Sequence, residues 1–328
     1  MNFPTRAAVA AVLAFASTFA FSGVLPGPIV DVEWLAANRD RVQVVDVRSS
    51  VKSFATEPVL EADAASGKRD VAKVGGHIAG ARLIDFAKVR SERKVGARKL
   101  QFMIPDKAGF EKLVQAAGVE QGKPIVVLSA GNDVSSVDEA LRLYWQFKVF
   151  GEDDIAVLNG GMAQWLVEGK PHTLVATAPQ RGDWVAKADR GAQYLANSDD
   201  VAAAIRDKTA ALVDARDARL FHGLAKRDYV DDFGHLENAK LYPTDILLKT
   251  TRGAALFMSH GTYRRLMIAQ DIDPATPSIT YCNSGHLAAG PWFILAEVLG
   301  ARSARLYDGS LHAWTAEKRP TSGAAARD

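Results

Sequence analysis

The chain repeats itself, and that repeat is the strongest limit on what it can fold into. Gly151–Trp165 closes with Asn159-Gly160-Gly161-Met162-Ala163-Gln164-Trp165, and Gly300–Trp314 closes with Asp308-Gly309-Ser310-Leu311-His312-Ala313-Trp314. In both stretches the tryptophan stands 14 positions after the glycine. Earlier pieces match in the same order: Val42–Val47 followed by Arg48 with Ala211–Asp214 followed by Arg216, Gly76-His77-Ile78 with Gly234-His235-Leu236, and Ile125–Leu128 with Ser278–Tyr281. Ordered matches of this kind mark a duplicated unit. Short β-branched runs alternating with helical spacing predict an α/β fold of two domains, each a mainly parallel sheet flanked by helices. The boundary falls between Lys170 and Ala196, a stretch holding Pro171, Pro179, Gly182 and Gly191, so the expected domains are 23–178 and 179–328. Residues 55–74 read as a polar surface loop, 137–147 as an amphipathic helix, and Arg90, Arg93, Lys94, Arg98 and Lys99 as a solvated charged loop.

The repeat is broken at one chemically important place. Cys282, the only cysteine in 328 residues, follows the strand-like Ile279-Thr280-Tyr281 and precedes the apolar run Trp292–Leu299. Pro291 suits the first turn of a helix there. A cysteine between a strand end and a helix start meets free N–H groups and a favourable dipole, which makes it a thiolate candidate. A buried structural cysteine is the bland reading. Against it stand Asn283, Ser284, Gly285 and His286, since four polar or small residues do not continue a core strand. Ser129 holds the matching place in the first half. From there to Gly151 is 22 residues, against 18 from Cys282 to Gly300.

Composition excludes more than it assigns. The net charge of +2 comes from 40 basic and 38 acidic residues, without a basic stripe, so no nucleic-acid partner is expected. One cysteine and seven scattered histidines show no metal-ligand spacing, and nothing calls for a cofactor. Residues 1–22 read as a signal peptide: Arg6 precedes the apolar run Ala7–Phe21, and Ala20 and Ser22 suit cleavage before Gly23. The expected location is periplasmic, with no stable membrane insertion once the signal is removed. Cleavage leaves 39 basic and 38 acidic residues, and a lone thiol that cannot form an internal disulfide.

Taken together, Asp214-Ala215-Arg216, Gly234-His235-Leu236, Cys282-Asn283-Ser284-Gly285 and Leu306-Tyr307-Asp308-Gly309-Ser310 with Trp314 resemble the tandem-domain rhodanese, or sulfurtransferase, family. The likeness spans almost everything from residue 29 to 320. It implies two rhodanese-like domains, the first non-catalytic and walling the site, the second catalytic. It also implies a ping-pong cycle, in which a small anionic sulfur donor charges Cys282 and a thiol or cyanide acceptor discharges the persulfide. Main-chain N–H groups from Asn283, Ser284, Gly285, His286, Leu287 and Ala288 would cradle that sulfur, and Gly285 would let the loop close.

The resemblance further implies that Arg216 binds the donor, with His286 a second candidate; for Arg216 the competing reading is a salt bridge with Asp214 or Asp217. The family's second arginine, four residues on, is replaced by Leu220 before Phe221, with Arg219 one place early. Asp214 and His235 read as scaffold, Trp292 and Trp314 as core or pocket wall, and Asp308 as the organiser of a turn beside the loop. The loop matches neither the cationic pattern that goes with thiosulfate nor the Gly-Ser-Gly or Gly-Thr-Gly type that goes with 3-mercaptopyruvate. Export favours thiosulfate. A cysteine phosphatase needs an arginine six places after the cysteine, where Ala288 stands. A stoichiometric persulfide carrier or redox sensor is the remaining alternative.

Overall fold

A computed structural model describes residues 23–62, 67–95 and 98–324, so the leader-like residues 1–22 lie outside the described residues. No helix among the described residues is long and apolar enough to cross a membrane. Two five-stranded parallel sheets carry the fold. The first uses β1 (Ile29–Val30), β2 (Gln43–Arg48), β3 (Arg82–Asp85), β4 (Ile125–Leu128) and β5 (Ile155–Leu158), in the order β1-β5-β4-β2-β3. The second uses β6 (Leu195–Ala196), β7 (Ala211–Asp214), β8 (Lys240–Leu241), β9 (Ser278–Tyr281) and β10 (Ala304–Tyr307), in the order β6-β10-β9-β7-β8. The two orders are the same once the strands are paired off. β2, β4, β5 and β9 are buried along their whole length, and β4 and β5 accordingly read as unbroken apolar runs rather than alternating ones.

The duplication extends to side-chain hydrogen bonds. Arg48 grips Asp46 and the Gly76 carbonyl; Arg216 grips Asp214 and the Gly234 carbonyl. His77 stacks on Phe54 at 3.6 Å and His235 on Phe221 at 3.8 Å, each with Nδ1 2.7 Å from that phenylalanine's carbonyl oxygen. Trp165 donates to the Pro171 carbonyl and Trp314 to that of Pro320.

Helix α1 (Val134–Val149) joins the halves. The amphipathic helix expected over 137–147 has no wet face. All of Val137–Val149 is buried, polar residues included, because Arg142 is met by Gly285 and Asp308 of the second half and Gln146 by the Val89 carbonyl of the first. Its Tyr144 meets Phe293 edge-on at 5.0 Å, in the helix α2 (Ala289–Phe293) that follows the cysteine loop and runs on as one π-helical stretch, Ile294–Val298. One continuous core therefore spans both sheets.

Antiparallel hairpins complete the union. Residues 55–74 are not simply a loop: Val59–Ala62 pairs with Arg69–Lys73. Ser91–Val95 pairs with Arg98–Met103, and this hairpin of the first half puts Leu100 and Met103 into the core of the second. The second half returns Lys249–Thr251 and Ala254–Leu256, with Ala254 in a core of the first. The boundary expected after residue 178 falls inside a strap that stays on the first half. There Gly182, Trp184 and Arg190 donate backbone bonds to Gln115, Val119 and Val149.

Candidate active site

Cys282 leaves the end of β9 at the floor of a cavity of about 290 Å³, with 2% of its surface exposed. Asn283, Ser284, His286 and Leu287 line that cavity from the same loop, and Arg227 and Tyr229 from the preceding connection. Arg90, Phe102 and Ser135 come from the other half. Larger clefts of about 500, 570 and 770 Å³ lie elsewhere, lined by no cysteine. Cys282 thus belongs to the buried core and also borders a cavity.

The loop is held with its carbonyls turned outward. Those of Cys282 and Asn283 accept from Leu311 and His312 N–H, that of Gly285 from Arg142, that of His286 from Ala289 N–H, and that of Ala288 from the Thr280 hydroxyl. Cys282 and Gly285 N–H both donate to Ser310 Oγ at 3.1 Å, and Ser310 Oγ donates to the Tyr307 carbonyl. Among the described residues the N–H groups of Asn283, Ser284, His286, Leu287 and Ala288 have no acceptor in the chain. N–H groups left unspent in one loop beside a thiol are available to an anion brought there. Gly285 is needed for this shape: its φ is +73°, and a Cβ there would lie 2.6 Å from the Asp308 carbonyl oxygen. The first half keeps the frame, with Met162 and Ala163 N–H donating to the Ser129 and Ala130 carbonyls, but it has no thiol.

The expected substrate residues fare differently. Arg216 does not line the cavity. It is 1% exposed, spends its guanidinium on Asp214 and Gly234, and reaches only the Asn283 side chain at 3.5 Å. Its twin Arg48 makes the same bonds in the half without a cysteine, so they belong to the scaffold. His286 does line the cavity, beside the Phe86 ring at 4.6 Å. Burial, then the charges of Arg90 and Arg142, push its imidazole down to about 3, so it is neutral at physiological pH.

Asp308 does more than shape a turn. It takes a bond from Arg142 and another from Ile104 N–H, both in the first half. Asn159, at the corresponding position, takes one from Phe257 N–H of the second half.

Arg90 was hidden by its neighbours in sequence. Arg93, Lys94, Arg98 and Lys99 are exposed on the hairpin, as a solvated cluster should be. Arg90 instead turns inward over the cavity. Burial, then the charge of Arg142, lowers its pKa to about 10, and it stays protonated at neutral pH. No group of three or more His, Cys, Asp or Glu side chains suited to a metal ion occurs among the described residues.

The cysteine loop on a duplicated parallel-sheet fold defines a class, and comparison with known proteins gives the same one. The rhodanese-like domain family matches residues 31–168 and 197–317, and the chain belongs to it. Thiosulfate sulfurtransferase of Bos taurus is 28% identical over 89% of this chain and 93% of its own. Thiosulfate/3-mercaptopyruvate sulfurtransferase 2 of Arabidopsis thaliana is 25% identical over 91% of this chain and 87% of its own. The structure of SseA from Escherichia coli, described for the rhodanese fold and mechanism of 3-mercaptopyruvate sulfotransferases, superposes with a TM-score of 0.67 at 25% identity, covering 87% of this chain and 98% of its own. The protein is a tandem-domain sulfurtransferase.

Proposed function

We propose that the protein moves a sulfane sulfur from thiosulfate to a thiophilic acceptor through a persulfide on Cys282. The observation that carries this reading is the loop whose N–H groups stay free of chain acceptors next to a cysteine that lines a cavity. The thiolate attacks the outer sulfur of the donor; the new S–S bond forms on Cys282 as the old one breaks, and its electron pair leaves with sulfite. The persulfide anion then rests against the loop N–H groups. An acceptor such as cyanide or a thiol takes the outer sulfur and returns the thiolate. Arg227 at the rim and Arg90 deeper in suit a small dianion better than a neutral donor. The relatives' names cover thiosulfate and 3-mercaptopyruvate; the two cavity arginines and the leader-like first 22 residues favour the inorganic donor and a periplasmic setting.

The test is mass spectrometry of the protein after incubation with thiosulfate. One sulfur atom should be added, located on Cys282, with one sulfite released and none gained by C282S. Cyanide should then discharge it repeatedly, whereas a carrier would stop after one equivalent. Failure to gain sulfur from thiosulfate overturns the proposal, and gain from 3-mercaptopyruvate alone reassigns the donor.

A further inference from the structure

The catalytic half has Leu220 where a second substrate arginine would stand, and its Arg216 is turned away into the scaffold. Arg227 of the same half lines the cavity from an exposed position, and the partly buried charge over it comes from the other half. Arg90 directly follows the short helix Phe86–Val89, just ahead of the hairpin that crosses to the second sheet. Its guanidinium carbon sits 4.7 Å from the centroid of the Phe86 ring and 4.9 Å from that of Phe102. It has no ion pair with a carboxylate among the described residues, and its Nε is buried without an acceptor. A half-buried cation with no counter-ion keeps a charge that two aromatic faces offset only in part. Phe102 itself is held at φ +68°, a left-handed backbone that a bulky residue adopts only under constraint from its surroundings. Strain, two rings and an unneutralised charge thus converge on the wall facing Cys282.

We infer that Arg90, donated by the half without a nucleophile, is the anion-binding group of the active site. It holds the oxyanion end of the sulfur donor while Cys282 attacks the outer sulfur, and afterwards faces the persulfide anion. The inference rests on the persulfide reading above and deepens it, because the first domain then supplies a working group as well as a wall.

Sulfite, the product that carries the oxyanion, separates the two claims because its binding needs no sulfur transfer. Calorimetric titration of sulfite into C282S should show a single site, weakened at least tenfold in C282S/R90M and less in C282S/R90K, which keeps the charge. Absence of a site in C282S, or equal affinity in all three proteins, overturns the role of Arg90. An R90K that binds no better than R90M, with both melting like their parent, assigns Arg90 to packing and overturns it too. In the protein with Cys282 intact, R90M should raise the KM for thiosulfate at least tenfold and change the discharge of preformed persulfide by cyanide much less. The persulfide reading is judged separately, by whether Cys282 gains sulfur with Arg90 in place.

Discussion

Arg142 of the first half reaches through the interface to Asp308 of the second, and neither side chain meets solvent. The same guanidinium donates to the Gly285 carbonyl at 2.9 Å, so one arginine joins the halves and holds the cysteine loop. A buried pair of this kind is weak evidence for net stability, but breaking one partner leaves an uncompensated charge.

R142M should therefore cost about 3–5 kcal/mol of unfolding free energy. The double variant R142M/D308L should cost less than the sum of its single variants. Urea unfolding of the four proteins as a double-mutant cycle measures both. Additive single effects would show that the pair does not act as one unit.

Ser310 ties the cysteine loop together by accepting from both Cys282 and Gly285 N–H. S310A removes the acceptor shared by Cys282 and Gly285 N–H, at a cost of about 1–3 kcal/mol for each buried donor left unpaired. Persulfide formation should slow more than the melting temperature falls, because the loop loses its shape while the sheets stay intact. Single-turnover kinetics beside a thermal melt decide this.

Gly285 tolerates no side chain. G285A must accept a positive φ and push Asp308 and Arg142 away, costing about 1–3 kcal/mol from backbone strain alone. Little persulfide should accumulate on Cys282 in this variant, as mass spectrometry would show. A G285A protein with full yield would remove the argument for close approach at this position.

His286 is held neutral, and the sign of its effect on stability follows. Its folded pKa of about 3 lies below the ordinary 6.5, so the unfolded chain binds the proton more readily. Its contribution is complete above pH 6.5 and is lost as the pH falls toward 3. Acid unfolding of H286Q should lose that part of the pH slope. Persulfide formation should show no histidine inflection between about pH 5 and 8, where a neutral imidazole does not titrate. An inflection present in the parent and absent in H286Q would contradict this.

Much of the architecture was legible along the chain because it is written twice. Asp46 and Arg48 against Asp214 and Arg216, or Trp165 against Trp314, are local patterns whose bonding partners lie at the same spacing in each copy. The cysteine loop was legible for a related reason: strand, polar turn and apolar helix follow one another within twenty residues. Residues 55–74 were misread because their hairpin strands are mostly polar and exposed, so no apolar alternation marks them, and the polar residues of α1 because their partners are distant. A polar stretch on its own looks solvated, and only the fold shows that α1 is covered.

The sequence by itself determined the duplicated α/β plan, the single nucleophile and the glycine that lets its loop close, since each depends on residue type and spacing over short range. Only the tertiary structure decided which charges line the cavity beside Cys282. Arg216 looked like the substrate residue and is spent on Asp214 and Gly234, whereas Arg90 looked like part of a solvated cluster and lines that cavity from the opposite half. Charge is visible in a sequence, but where it points depends on contacts between residues nearly two hundred positions apart.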